Sequence, residues 1–129
     1  MPGVEGVPGA KPTISLPRSQ PPSSALVQPI TTGPGSAVQA GQQIVGKYVG
    51  VTWAGREFAS SWETPELDVV QSANHFSPGA LAQLVGVTAG SRVLLVVPPA
   101  LGFGAGGRTD LGIGPSDTLV YVVDVFGSY

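Results

Sequence analysis

The sequence predicts an α+β domain: a curved antiparallel sheet of five or six strands carrying one short helix. Three observations lead there. Two strand-like runs, residues 92–97 and 117–125, bracket a glycine-rich loop in the last third of the chain. A single stretch, beginning at Ser77-Pro78, spaces its apolar residues as a helix does. The remaining patterned segments alternate with the two-residue period of strands.

Residues 1–23 read as a leader or linker. Eight of the 13 prolines fall in the first 34 residues, and Pro2, Pro8, Pro12, Pro17, Pro21 and Pro22 oppose a helix and favour extended backbone. Within this stretch Thr13-Ile14-Ser15-Leu16 alternates like a strand and could dock on the domain as an extended arm. The globular domain covers residues 24–129. Residues 25–31 suit an edge strand, because Pro29 cannot donate to a ladder. Thr32-Gly33-Pro34-Gly35-Ser36 is a turn. Residues 43–53 form a longer strand, with Val45, Val49, Val51 and Trp53 on one face and Tyr48 on the other. Ala54-Gly55-Arg56 turns a hairpin into residues 57–62, and residues 67–70 make a short apolar strand. Ser77 caps the helix and Pro78 suits its first position. Ala80, Leu81, Leu84 and Val85 form its apolar stripe, and Gly86 or Gly90 ends it after about eight to ten residues.

Composition excludes several functions. The net charge is −2 with only six scattered Lys and Arg, which leaves no footprint for nucleic acid. There is no basic amphipathic helix for a membrane surface, and no apolar run nears the roughly 18 residues of a membrane-inserting helix. With no cysteine, disulfides, thiol nucleophiles and thiolate metal sites are ruled out. Met1-Pro2-Gly3-Val4-Glu5 lacks the basic start and apolar core of a signal peptide.

Familiar catalytic constellations are missing. His75 is the only histidine and reads as a surface or capping residue, so no metal site is expected. The eight carboxylates are dispersed, and Ser60-Ser61 has no strand–nucleophile–helix context. Gly102, Gly104 and Gly107 match the G-x-G-x-x-G spacing. A dinucleotide site needs that motif between a strand and a helix, and here Pro98-Pro99 precedes it and a loop follows. What remains is apolar: Tyr48, Phe58, Leu67, Phe76, Phe103, Ile113 and Tyr121. By residue type these could simply be core. Phe103 and Ile113, however, lie in glycine-rich loops, which normally run over the surface. Two large apolar groups there call for a shared cavity, and an apolar pocket suits an apolar ligand.

Across residues 24–129 the chain resembles FKBP-type peptidyl-prolyl isomerases. Tyr48-Val49-Gly50, followed by Gly55-Arg56-Glu57-Phe58-Ala59-Ser60-Ser61, is similar to the family's Y-x-G…G-x-x-F-D-S-S segment. Pro78-Gly79, Leu84, Gly86, Gly90 and Arg92 track its helix and the strand after it. Val97-Pro98-Pro99-Ala100-Leu101-Gly102-Phe103-Gly104 looks like I-P-P-x-L-G-Y-G, and Ile113-Gly114-Pro115 with Asp117-Thr118-Leu119-Val120-Tyr121 resembles I-P-P-x-x-T-L-V-F. Residues 12–17 are similar to the connector before FKBP domains in some bacterial multi-domain proteins; the sequence does not fix the compartment, with an exported or cell-envelope location favoured over a cytoplasmic one.

The resemblance implies a half-barrel sheet wrapped on one short helix, with a prolyl pocket between them. It implies cis/trans interconversion of X-Pro bonds without a cofactor, by a monomer whose partners are prolyl peptides or protein clients. Tyr48, Phe58, Phe103 and Tyr121 would be its catalytic walls. Leu67, Phe76, Ser77, Ala59, Ala80 and Ile113 would complete substrate binding. The departures reshape that pocket. Ala59 stands where Asp is usual, Phe103 where Tyr is usual, Ala80 in place of a floor Trp, and Leu67 where Phe is common. Losing the indole at Ala80 leaves a deep void unless Phe76, standing where Val is usual, fills part of it. The expected function is therefore an isomerase of weakened or altered activity that assists folding, with reduced macrolide-inhibitor affinity. A catalytically inactive FKBP-like binding or structural module is the alternative.

Overall fold

A computed structural model describes residues 3–6, 11–17, 20–63, 68–70 and 75–129. Its main sheet is antiparallel throughout. It comprises β3 (Leu26–Thr31), β4 (Ile44–Thr52), β5 (Glu57–Ser60), β6 (Asp68–Val69), β7 (Arg92–Val97) and β8 (Leu119–Ser128) in the order β3-β7-β8-β4-β5, with β6 also paired to β4. β5 lies along Val49–Val51 of β4, and β6 along Val45 and Gly46. Register shifts at Val45/Gly46 against β8 and at Gly50/Val51 against β5 bend β4, the way bulges curve a sheet. The open, curved sheet wraps one short helix, α1 (Pro78–Ala82), which agrees with the fold class expected from sequence.

α1 is shorter than its apolar stripe predicts. It has five α-helical residues, and the chain then continues in i→i+3 turns: Gln83 N–H to Ala80, Leu84 N–H to Leu81 and Val87 N–H to Leu84. Gly86, at φ +93°, turns the backbone so that its N–H reaches the Val38 carbonyl at 2.8 Å. A bond to the 35–38 segment thus ends the helix sooner than periodicity alone would.

The alternation in the strands sorts cleanly onto two faces. Tyr48, Val93, Leu95, Val97, Leu119, Tyr121, Val123 and Val125 face inward with Phe76, Ala80 and Leu84. Val49, Val51, Leu94, Val120 and Val122 face the other way. That outer face is covered as well. β1 (Gly3–Glu5) and β2 (Thr13–Ser15) pair antiparallel and lay Val4, Ile14 and Leu16 on it beside Trp53 and Trp62. The arm foreseen at residues 13–16 therefore docks, and burial on both faces explains why β7 and β8 read as nearly unbroken apolar runs.

One polar row crosses this outer side. Lys47, Asp124 and Arg92 are register neighbours on β4, β8 and β7. Arg92 forms a two-pronged pair with Asp124, Nε to Oδ1 at 2.8 Å and Nη2 to Oδ2 at 3.0 Å, with side chains only 3% and 8% exposed. Lys47 donates to the Ser61 carbonyl at 3.0 Å. The Lys47 and Arg92 cations lie 6.0 and 5.9 Å from the Trp62 ring, so the indole lies against both charged groups.

Candidate active site

The site is built where the inner face of the sheet meets the start of α1. Tyr48 comes from the middle of β4 and Tyr121 from β8, where it pairs in register with Gly50. Gly50 matters through its missing side chain. A Cβ there would stand 2.7 Å from the Phe58 ring, so only glycine lets Phe58 of β5 fold across β4. Phe58 then meets Tyr121 edge-to-face, at 5.6 Å between centroids and 89° between planes. Phe76, just ahead of α1, stacks on Tyr121 at 4.3 Å and 17°, and presents an edge to Tyr48 at 5.0 Å and 75°. Four aromatic rings thus form one contiguous wall, in geometries that the ring quadrupoles favour.

Ser77 fixes this wall to the helix and to the following loop. Its Oγ accepts the Ala80 N–H at 3.1 Å and donates to the Leu101 carbonyl at 2.7 Å. A Cβ on Gly79 would collide with the same carbonyl, so this glycine allows the first helical turn to seat against the loop. Ser77→Ala should lower stability by about 1–3 kcal/mol, since it removes both the cap and the donor to the part-buried Leu101 carbonyl. Urea unfolding of the variant measures this.

The loop from residue 98 to 118 supplies the remaining apolar groups. Arg108 and Ile113 exchange both backbone hydrogen bonds at 2.9 Å, which pulls Ile113 into the core. Gly107, at φ +58°, lies where a Cβ would stand 2.5 Å from the Ile113 carbonyl oxygen, so no other residue fits. Phe103 is half-buried against the same core. The Arg108 guanidinium lies 5.1 Å over its ring and is held there by two bonds to Asp110, at 2.9 and 2.8 Å. The Arg108 pair holds the Asp110 carboxyl below the usual carboxylate range.

His75 is the residue that sequence reasoning missed. It is half-buried, not a surface cap. Its Nδ1 lies 2.6 Å from the Tyr48 hydroxyl, and its backbone carbonyl accepts the Tyr121 hydroxyl at 2.8 Å. Burial, and then the Arg108 cation, push its pKa below the ordinary histidine value, with Asp110 partly opposing. Burial also raises the Tyr121 phenol, with Tyr48 adding to the effect, so Tyr121 remains a proton donor at neutral pH. Only the position of His75 beside Phe76-Ser77 could have pointed to it.

The geometry thus gathers Tyr48, Phe58, Ala59, Phe76, Ala80, Phe103, Ile113 and Tyr121 in one cluster, with Ser77 at its helical end. Leu67 lies outside the described residues. Ala80 is 0% exposed. Phe76, 6% exposed, belongs to the same core. Tyr48 and Tyr121 are 1% and 0% exposed, while Phe58 and Phe103 stay partly open to solvent.

A family model described as FKBP-type peptidyl-prolyl cis-trans isomerase matches residues 35–126. The chain belongs to this family. An FK506-binding protein of Streptomyces anulatus is 34% identical over 118 residues, which is 89% of this chain and 94% of the relative. The FKBP-type isomerase FkpA of Escherichia coli is 32% identical over 104 residues, 80% of this chain but only 37% of FkpA. The crystal structure of FkpA superposes with a TM-score of 0.70 at 28% identity, over 84% of this chain and 50% of that one. A Pseudomonas syringae peptidyl-prolyl cis-trans isomerase does so with 0.67 at 25% identity, over 81% and 74%. Against the FKBP pattern, this domain has no carboxylate at Ala59 and no hydroxyl at Phe103. The hydroxyls it does carry, on Tyr48 and Tyr121, are both engaged by His75.

Proposed function

We propose that this FKBP domain is a peptidyl-prolyl isomerase of reduced activity, acting on X-Pro bonds of peptides and unfolded client chains. Residues 24–129 are taken as the isomerase unit. The observation that carries the reading is the apolar wall of Phe58, Phe76, Tyr121 and Tyr48, with Phe103 and Ile113 beside it. The reaction asks for little else. The barrier of about 18–20 kcal/mol arises from amide resonance, and rotation neither makes nor breaks a covalent bond. An apolar surface that holds the twisted amide better than the planar one lowers that barrier without nucleophile, base or cofactor. Phe58 and Phe103 are the rings that a prolyl side chain would meet first, because they retain exposed surface.

The reduction follows from the same arrangement. Phe76 stacks on Tyr121, and both tyrosine hydroxyls are already engaged by His75 rather than turned to a substrate carbonyl. Each missing hydrogen bond is worth about 0.5–1.5 kcal/mol, so two of them lower turnover by roughly one to two orders of magnitude. The burial of both tyrosines also favours a second reading, a module that binds prolyl segments without turning them over. NMR titration with a short X-Pro peptide and its X-Ala counterpart tests the site. The X-Pro peptide should selectively shift the resonances of Phe58, Phe103 and Ile113. Equal shifts with both peptides, or none, would remove the prolyl pocket from the account.

A further inference from the structure

We propose that His75 is the positioning residue of this site: its ring holds Tyr48, its backbone carbonyl holds Tyr121, and its protonation reverses the first of these bonds. The proposal rests on the isomerase reading above but stands on separate geometry. Tyr48 and Tyr121 come from strands 73 residues apart in sequence, 48 against 121, and both hydroxyls converge on one residue at 2.6 and 2.8 Å. The two rings are in turn bridged by Phe76, the neighbour of His75, which is edge-on to one and stacked on the other. A shift of residue 75 would therefore move three of the four wall rings together.

The two bonds differ chemically. The carbonyl accepts the Tyr121 O–H at any pH. In the neutral ring with its proton on Nε2, Nδ1 accepts the Tyr48 O–H. Protonation turns Nδ1 into a donor, so the Tyr48 proton has to rotate out of the bond and the phenol oxygen has to accept instead. The charged groups acting on the imidazole are Arg108, which opposes its protonation, and Asp110, which favours it. Burial and Arg108 outweigh Asp110, so the ring is neutral at pH 7 and the Tyr48 bond is of the accepting kind. Acidification should then reverse the Tyr48 bond and, through Phe76, shift the pocket wall.

The experiment pairs a pH series of catalysed X-Pro exchange with NMR titration of the His75 imidazole and the Tyr48 ring. We expect the catalysed rate to fall by about three- to tenfold, the scale of one reorganised hydrogen bond, as the pH is lowered through the His75 titration, which lies below the ordinary histidine value. The midpoint should coincide with the titration of His75, and the Tyr48 ring resonances should follow the same curve. His75→Leu should lower the rate at every pH and flatten the profile. His75→Gln, whose amide accepts but does not titrate, should recover part of the rate and remain flat. An acid step that survives in His75→Gln, or Tyr48 resonances indifferent to the His75 titration, would overturn the proposal. The ring resonances need no turnover, so an absence of exchange at pH 7.5 would sink the isomerase reading while the coupling of His75 to Tyr48 is still decided.

Discussion

Phe76→Ala should lower the unfolding free energy by about 3–5 kcal/mol, the upper range for removing a buried aromatic ring. Phe76 is 6% exposed and touches both buried tyrosines, so the loss has two parts. Its transfer energy disappears, and a cavity opens between Tyr48 and Tyr121 that neither strand can close, because both lie in the centre of the sheet. The ring shares one core cluster with Ala80, which is 0% exposed. This changes what is expected of restoring a tryptophan there. Ala80→Trp alone pushes an indole into a position with no free surface and should destabilise by at least about 1–3 kcal/mol through overpacking. Combined with Phe76→Val, the same tryptophan has room. The double variant should be more stable than the sum of the singles implies, by a coupling of about 0.5–3 kcal/mol. It should also uncover Tyr121 and raise the exchange rate above that of the parent chain. Denaturant unfolding of all four proteins measures the cycle, and strict additivity would mean that Phe76 does not occupy the floor.

Asp124→Ala should cost about 3–5 kcal/mol, as removal of one partner of a buried ion pair does. It strands the Arg92 guanidinium, which is 3% exposed, without its two carboxylate bonds. The pair itself is not a large net source of stability. Burial pushes the Asp124 carboxyl up, and the attraction of Arg92 only partly brings it back down. By linkage, a raised folded-state pKa means that ionising Asp124 opposes folding as pH rises through that value. Replacing both residues by leucine should therefore recover most of what Asp124→Ala loses. Thermal unfolding of the single and double variants distinguishes the cases. A double variant as unstable as the single would place the defect in packing against Trp62.

Much of the fold was legible because alternation is a local property. The odd and even residues of β4 separate onto opposite faces as their polarity implies, and Ser77-Pro78 marks the start of α1 unaided. The end of α1 was not legible, since it is set by the bond from Gly86 to Val38, 48 residues earlier. The aromatic residues of the site could be named from type and resemblance, but their stacking order could not. That Phe76 stacks on Tyr121 is decided by tertiary packing between a strand and the start of α1. His75 and Arg108 escaped notice for a related reason. Each acts on a ring brought to it by tertiary folding, Tyr48 and Tyr121 for one and Phe103 for the other. In the sequence a lone histidine and a loop arginine look like any solvated side chains.

The most direct test of the isomerase account is magnetisation-exchange NMR on a short X-Pro peptide with a catalytic amount of the protein. Cis/trans exchange should run faster than in buffer alone, and Phe58→Ala, which removes the partly exposed wall ring, should take most of that acceleration away. A rate with the intact chain equal to that in buffer would contradict the account.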